Sequence, residues 1–296
     1  MFKTSVALLF ITFFTACSSK IPNTWQARVE KTPIAPIKLH VEEKGSGKPL
    51  ILLHGFGTNS YSFHAIIEPL SKKYHVYNVD LKGFGSSPKP DDGRYSVYDQ
   101  AVLVSSFIKE NNLKNVTLIG HSYGGGVALS LALMDSKNIN KMVLIDAASY
   151  KQYIPSLIKK VQFPILGPLA FYILSSNYEV KETYDYLFYD KQKIKDSTIE
   201  KLSESLDKES AKKAYLSALD DLIPDDIDEI SKKYKSIKIP TLIIWGDKDT
   251  VIRKNKAYRL KRDLKNSKLK IIKNCGHIPH EEKPKEVLKY LYDFLR

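Results

Sequence analysis

A serine held between two glycines at the end of an apolar run is where residue type and spacing in this chain first point to covalent chemistry. Val116-Thr117-Leu118-Ile119 leads into Gly120-His121-Ser122-Tyr123-Gly124 and then into Gly125-Gly126-Val127-Ala128-Leu129, which reads as strand, sharp turn and helix. A serine on such a G-x-S-x-G turn needs flanking glycines, because strand and helix backbones approach closely there. The helix that follows aims its free N–H groups at the serine oxygen and favours developing negative charge. A hydroxyl is a poor nucleophile until a base takes its proton, so an imidazole and an orienting carboxylate are expected at later strand ends. His277 stands in Asn274-Cys275-Gly276-His277-Ile278-Pro279, after the apolar run 269–272. Asp249 stands in Gly246-Asp247-Lys248-Asp249, after the run 241–245. Asp146, which follows the run 142–145, is the rival acid.

Attack on a carbonyl also needs donors for the oxyanion. Residues 50–53 run into His54-Gly55-Phe56-Gly57, where Gly55 and Gly57 free the backbone to point N–H groups at a substrate oxygen. The expected pair of donors is the amide of Phe56 and that of Tyr123, with His54 a structural hydrogen-bonder rather than a second base. The seven histidines show no H-E-x-x-H or similar ligand spacing, and no G-x-G-x-x-G follows a strand. The expectation is chemistry with no metal and no organic cofactor.

The elements that position these residues alternate along the chain. Apolar or β-branched runs at 37–41, 50–53, 76–79, 116–119, 142–145, 241–245 and 269–272 are separated by helical stretches at 61–73, 97–111 and 124–134, and a helix at 286–295 closes the chain. This is the pattern of an α/β fold with a mostly parallel sheet flanked by helices, in which chemistry gathers at the carboxyl ends of the strands. The expected body is 37–148 and 237–296. Residues 149–236, rich in tyrosine and lacking a buried strand, are expected as an inserted helical cap, or lid. Its apolar side chains Phe163, Ile165, Leu166, Phe171, Leu174, Leu187 and Phe188 are candidates for an acyl pocket, with helix packing the competing use of each.

The chain has 296 residues, 43% hydrophobic and 27% charged, with Gly 14 and Pro 14, which excludes disordered, collagenous and multi-spanning membrane classes. Its formal charge of +13 comes mostly from lysine. Arginine, the residue suited to bidentate phosphate and guanine contacts, occurs only at 28, 94, 253, 259, 262 and 296, so no nucleic-acid partner is expected. At the N-terminus Lys3 precedes a ten-residue apolar stretch, SVALLFITFF, and Thr15-Ala16 places small residues before Cys17. Ten residues are too few to span a bilayer, which takes about 20. Residues 1–16 read as a signal peptide. Phe14-Thr15-Ala16-Cys17-Ser18-Ser19 resembles a bacterial lipobox, which implies lipidation of Cys17 and a lipidated tether and lead-in strand over 17–36. The expected location is the bacterial cell envelope, anchored to a membrane surface and facing outside the cytoplasm, with a secreted or periplasmic protein the alternative.

Taken together, His54-Gly55-Phe56-Gly57, Gly120-His121-Ser122-Tyr123-Gly124, Gly246-Asp247-Lys248-Asp249 and Gly276-His277-Ile278-Pro279-His280-Glu281-Glu282-Lys283-Pro284 resemble the motifs of the α/β-hydrolase superfamily, in its lid-bearing serine group of esterases and meta-cleavage-product hydrolases. The resemblance covers about 37–296. It implies Ser122 as nucleophile, His277 as base and Asp249 as orienting acid. Asp80-Leu81-Lys82-Gly83-Phe84-Gly85-Ser86 resembles a structural loop of that family in which Lys82 replaces an arginine. Epoxide hydrolases and haloalkane dehalogenases share the layout but use an aspartate nucleophile, so Ser122 directs the expectation to carboxylic ester hydrolysis on a small or lipidic ester. C–C bond hydrolysis, acyl transfer and a catalytically idle envelope binding lipoprotein are the alternatives.

Overall fold

Six of the seven apolar runs fold as strands of one sheet, and a seventh strand overlaps only the end of the first run. They are β1 (His40–Lys44), β2 (Pro49–Leu53), β3 (His75–Asp80), β4 (Val116–His121), β5 (Ile139–Ile145), β6 (Thr241–Gly246) and β7 (Ser267–Ile272), and they lie side by side in the order β1-β3-β2-β4-β5-β6-β7. Every pairing is parallel except that of β1 with β3. The computed structural model describes residues 20–154 and 156–296, so the expected signal at 1–16 and the expected lipidation site Cys17 lie outside the described residues.

β4 is buried at every position because helices cover both faces of the sheet, and Val116, Leu118 and Ile119 supply its apolar side chains. On one face α1 (His64–Ser71) and α12 (Pro284–Leu295) close over Leu50, Leu52, Ile119 and Ile244. On the other, α2 (Val97–Glu110), α3 (Tyr123–Met134) and α10 (Asn255–Asp263) pack on Ile51, Leu53, Leu118 and Trp245. α2 starts at a capping box in which Ser96 and Asp99 bond each other's backbone amides.

Two N-terminal expectations are corrected. The first strand occupies 40–44 rather than 37–41: it is the antiparallel edge strand, paired on one side only, and its mostly exposed His-Val-Glu-Glu-Lys sequence carries little apolar signal. From Lys20 onward the stretch read as tether and lead-in strand belongs to the folded body. Residues Gln26–Lys31 form a helical turn, and Arg28 is buried between Asp99 (2.9 Å) and Asp221 (3.1 Å) while donating to the carbonyls of Gly93, Ile21 and Pro22. Such an ion pair is stable only because every guanidinium donor finds an acceptor.

Between β5 and β6 the chain is helical. α4 (Ser156–Lys159), α5 (Leu166–Ile173), α6 (Ser176–Leu187), α7 (Asp196–Glu204), α8 (Glu209–Asp220) and α9 (Ile227–Lys232) build an insert with its own apolar cluster. Phe171, Val180, Tyr184 and Leu202 meet there, joined from the body by Ile278, one residue beyond His277. α11 (Pro279–Glu282) follows His277 immediately. No helix among the described residues is long and apolar enough to cross a membrane.

Candidate active site

Ser122 caps α3 in a left-handed conformation, φ 49°, that non-glycine residues avoid at a cost of about 1–3 kcal/mol. Surrounding hydrogen bonds hold it there: its amide donates to Ile145 O (2.9 Å), and its carbonyl accepts from Gly125 (3.0 Å) and Ala148 (2.9 Å). A side chain on Gly124 would collide with the carbonyl of Leu53, and one on Gly120 with that of Gly124. The two glycines of the motif are therefore required by the backbone crossing itself.

The three residues expected to act together meet at the carboxyl edge of the sheet. His277 Nε2 lies 2.9 Å from Ser122 Oγ, and His277 Nδ1 lies 2.7 Å from Asp249 Oδ2. The other oxygen of Asp249 accepts the amides of Val251 (2.8 Å) and Ile252 (2.9 Å), which fixes the carboxylate plane. All three side chains are buried or nearly so, and Ser122 and His277 line a narrow cavity of about 90 Å³. The expected oxyanion donors are placed beside them: Phe56 and Tyr123 line the same cavity, and neither amide makes a turn or cap hydrogen bond among the described residues. His54 lies outside that lining. Its Nε2 accepts from the Leu81 amide (3.0 Å) and its Nδ1 donates to Gly55 O (2.8 Å), and burial holds its pKa below the ordinary imidazole value, so it acts as a neutral brace for the loop. Gly57 adopts φ 71°, and a side chain there would strike the Tyr215 ring. Lys82 is buried and finds its own carboxylate, 2.7 Å from both oxygens of Asp92.

Asp146, the rival acid, is buried beside the site rather than in it. It sits at φ 43° just after β5, and its Oδ1 accepts from the Gly246 amide at 3.0 Å. Its Oδ2 has no hydrogen-bond donor among the described residues. Burial first, and then the charge of Asp249, push its pKa well above the carboxylate range, which makes it a neutral neighbour of Asp249. Ligand atoms of Asp146, Asp249 and His277 lie within 4.8 Å of one another. A cation there would need Nδ1 of His277, already bonded to Asp249, and an ionised Asp146, so the donor set suits proton transfer better than metal binding.

Other contacts were not read from the sequence. His121 Nε2 donates to the His277 carbonyl (2.8 Å), and its ring packs edge-on to His280 at 4.6 Å. Burial lowers the pKa of both, that of His280 to about 3, so this cluster is neutral. Glu282 accepts the amides of Gly276 (2.7 Å) and Asp190 (2.9 Å), and the His277 amide donates to Leu187 O (2.8 Å), which joins the base-bearing loop to the end of α6. The motif around His277 was legible, but nothing in it tells which of His280, Glu281 and Glu282 turns inward.

The insert closes the cavity with Phe171, Val180, Leu187, Leu202, Leu206 and Tyr215. Of the seven pocket candidates, Phe171 and Leu187 line it; Phe188 is buried elsewhere, and Phe163, Ile165, Leu166 and Leu174 face outward. The sequence marked these residues as apolar but could not say which helix face turns inward.

A mostly parallel sheet with a serine elbow, and with a bonded imidazole and carboxylate at the same carboxyl edge, defines a hydrolase-type α/β protein. The family model described as alpha/beta hydrolase fold matches residues 48–284, and the chain belongs to that family. It is 28% identical to Lipase 1 of Psychrobacter immobilis over 83% of this chain and 76% of the lipase. It is 29% identical to the uncharacterized hydrolase YugF of Bacillus subtilis over 87% of this chain and 93% of YugF. Among solved structures, a serine hydrolase involved in carbazole degradation superposes with a TM-score of 0.74 at 25% identity, over 88% of this chain and 95% of that one.

Proposed function

We propose that this hydrolase-family chain is a serine carboxyl-ester hydrolase for substrates with an apolar acyl group, working through an acyl-enzyme on Ser122. The observation that carries the reading is the unbroken line Asp249–His277–Ser122, at 2.7 and 2.9 Å, opening on an apolar cleft next to the amides of Phe56 and Tyr123. Ser122 Oγ attacks the ester carbonyl while His277 Nε2 takes its proton. Asp249 holds the other ring proton on Nδ1 and stabilises the imidazolium. The carbonyl oxygen, now an anion, accepts from the two amides, each worth about 3 kcal/mol of barrier. His277 then protonates the departing alkoxide, the tetrahedral centre collapses to an acyl-serine, and water releases the acid by the same steps in reverse. Similarity to the Psychrobacter lipase supports the ester class, and the apolar lining contributed by the insert supports a hydrocarbon acyl group.

The test is a panel of p-nitrophenyl esters of increasing chain length with a fluorophosphonate label. The expected result is turnover, with stoichiometric labelling that Ser122→Ala abolishes together with at least ~10⁴-fold of the rate. An unlabelled but folded protein rejects the reading in favour of a binding role. Poor ester turnover alongside cleavage of a dienoic diketo acid rejects it in favour of C–C hydrolysis.

A further inference from the structure

The hairpin that opens the insert is apolar on two sides. Residues 160–162 form a helical turn and α5 folds back on it so tightly that a side chain on Gly167 would collide with the Lys160 carbonyl. Inward, Val161 and Phe171 line the catalytic cavity. Outward, Phe163 (63% exposed), Ile165 (81%), Leu166 (62%), Leu169 (51%) and Ile173 (73%) stand in water, with 166, 169 and 173 at helical spacing along α5. Scattered exposed apolar residues need no explanation, but five within eleven positions on one hairpin form a patch of the kind that marks an interaction surface. Lys159 and Lys160 are exposed at its edge, Lys159 with its ammonium 4.7 Å from the ring of the exposed Tyr153. Apolar side chains bordered by lysines suit a bilayer carrying anionic headgroups.

The start of the described chain lies at the same place. Asp220 accepts from Lys20 Nζ (3.5 Å) through one carboxylate oxygen and from Gln162 Nε2 (3.4 Å) through the other, and Gln162 immediately precedes Phe163. Lys20 stands three positions after Cys17, a reach of at most about 11 Å, and the apolar stretch of residues 5–14 comes before that. We propose that the outer face of residues 163–173 seats on a lipid bilayer, beside the point where the N-terminus anchors the chain, so that acyl chains enter the cleft from the membrane past Val161 and Phe171. The proposal rests on the ester-hydrolase reading for its purpose, but not for its contact.

The test uses the full-length protein with Ile173→Trp and, as a control at the opposite strand end, Lys114→Trp. Vesicles of phosphatidylethanolamine and phosphatidylglycerol with brominated acyl chains are expected to quench at least half of the added emission at 173 and none at 114. Combining Leu166→Asp, Leu169→Asp and Ile173→Asp is expected to cut turnover of a long-chain ester presented in vesicles at least tenfold, leaving a soluble short-chain ester within twofold. Emission at 173 that vesicles leave unquenched overturns the proposal. So does shielding of that position before any lipid is added, whether the particle has the mass of a dimer, which assigns the face to a second copy, or of a monomer, which assigns it to the chain's own N-terminal residues. Quenching at 173 with no ester turnover by the unsubstituted protein keeps the docking surface and rejects the ester reading.

Discussion

The two walls of the cleft that holds Ser122 and His277 are built by different means. The elbow wall is fixed by backbone: Ser122 is tied through its own amide and carbonyl to Ile145, Gly125 and Ala148, and its neighbours Gly120 and Gly124 leave no space for a side chain. The insert wall is held by contacts between separate elements, among them Glu282 to the amide of Asp190, His277 to Leu187, Tyr184 to Glu281 and, further from the base, Asp221 to Arg28. It keeps a separate small core and carries a helix whose outer stripe is left in solvent. Rigid placement of the reacting atoms thus resides in the sheet, where displacing an atom would disrupt β-strand packing. What enters the cleft is set on the side that is joined to the sheet through contacts between elements.

The difference is sharpest between two aspartates on the sheet side. Asp249→Asn leaves the shape intact but removes the charge and the acceptor that hold the His277 tautomer, and kcat/KM on a soluble ester is expected to fall about 10⁴-fold. Asp146→Asn replaces one neutral group by another in the same volume, and the expected loss is under about tenfold. Steady-state kinetics of the two variants decide the matter, and a larger loss at 146 would transfer the orienting role to it.

A smaller effect is expected where the seam meets the base. Glu282 accepts amides from both walls, so Glu282→Ala leaves the part-buried N–H of Asp190 and the buried N–H of Gly276 without this partner, the latter at about 1–3 kcal/mol. The expected outcome is a lower melting temperature with a 10- to 100-fold lower kcat, as His277 loses its fixed distance to Ser122. Unchanged kcat in a destabilised variant would show that the insert does not help hold the base, and the contrast between the walls would then be complete.

What could be read in the sequence follows the same division. Ser122, Asp249 and His277 were legible because each follows a run that becomes a parallel strand, buried throughout in β4 and β6 and alternately exposed in the edge strand β7, and because close backbone crossings require glycine at 120, 124, 246 and 276. The choice of Asp249 over Asp146 rested on a resemblance, since both follow such runs, and only their positions relative to the imidazole separate them. The burial of Arg28 was not legible: its partners Asp99 and Asp221 lie 71 and 193 positions away, and no local pattern encodes such a pair. Most pocket candidates in the insert were misplaced for a related reason. α5 is apolar on both its buried and its exposed faces, so hydrophobic periodicity carries no sign there.

The smallest expected effect is on pH dependence, at the seam formed by Tyr184 and Glu281. The tyrosine hydroxyl donates to Glu281 Oε1 at 3.0 Å. Burial raises the Glu281 pKa from 4.5 to about 8, against the opposing influence of that hydrogen bond. A carboxyl whose folded pKa lies above its unfolded value binds more protons in the native state. Its stabilising contribution is therefore complete below pH 4.5 and is lost as pH rises through about 8. Glu281→Gln keeps an acceptor for Tyr184 and removes the titration, so its urea midpoint is expected to fall less than that of the unsubstituted protein between pH 5 and pH 8.5. The limiting slope for one proton is about 1.4 kcal/mol per pH unit, and partial solvent access keeps the observed difference below that. Parallel profiles for the two proteins would mean that Glu281 is already ionised at pH 5, making this seam a charged contact between the walls rather than a neutral one.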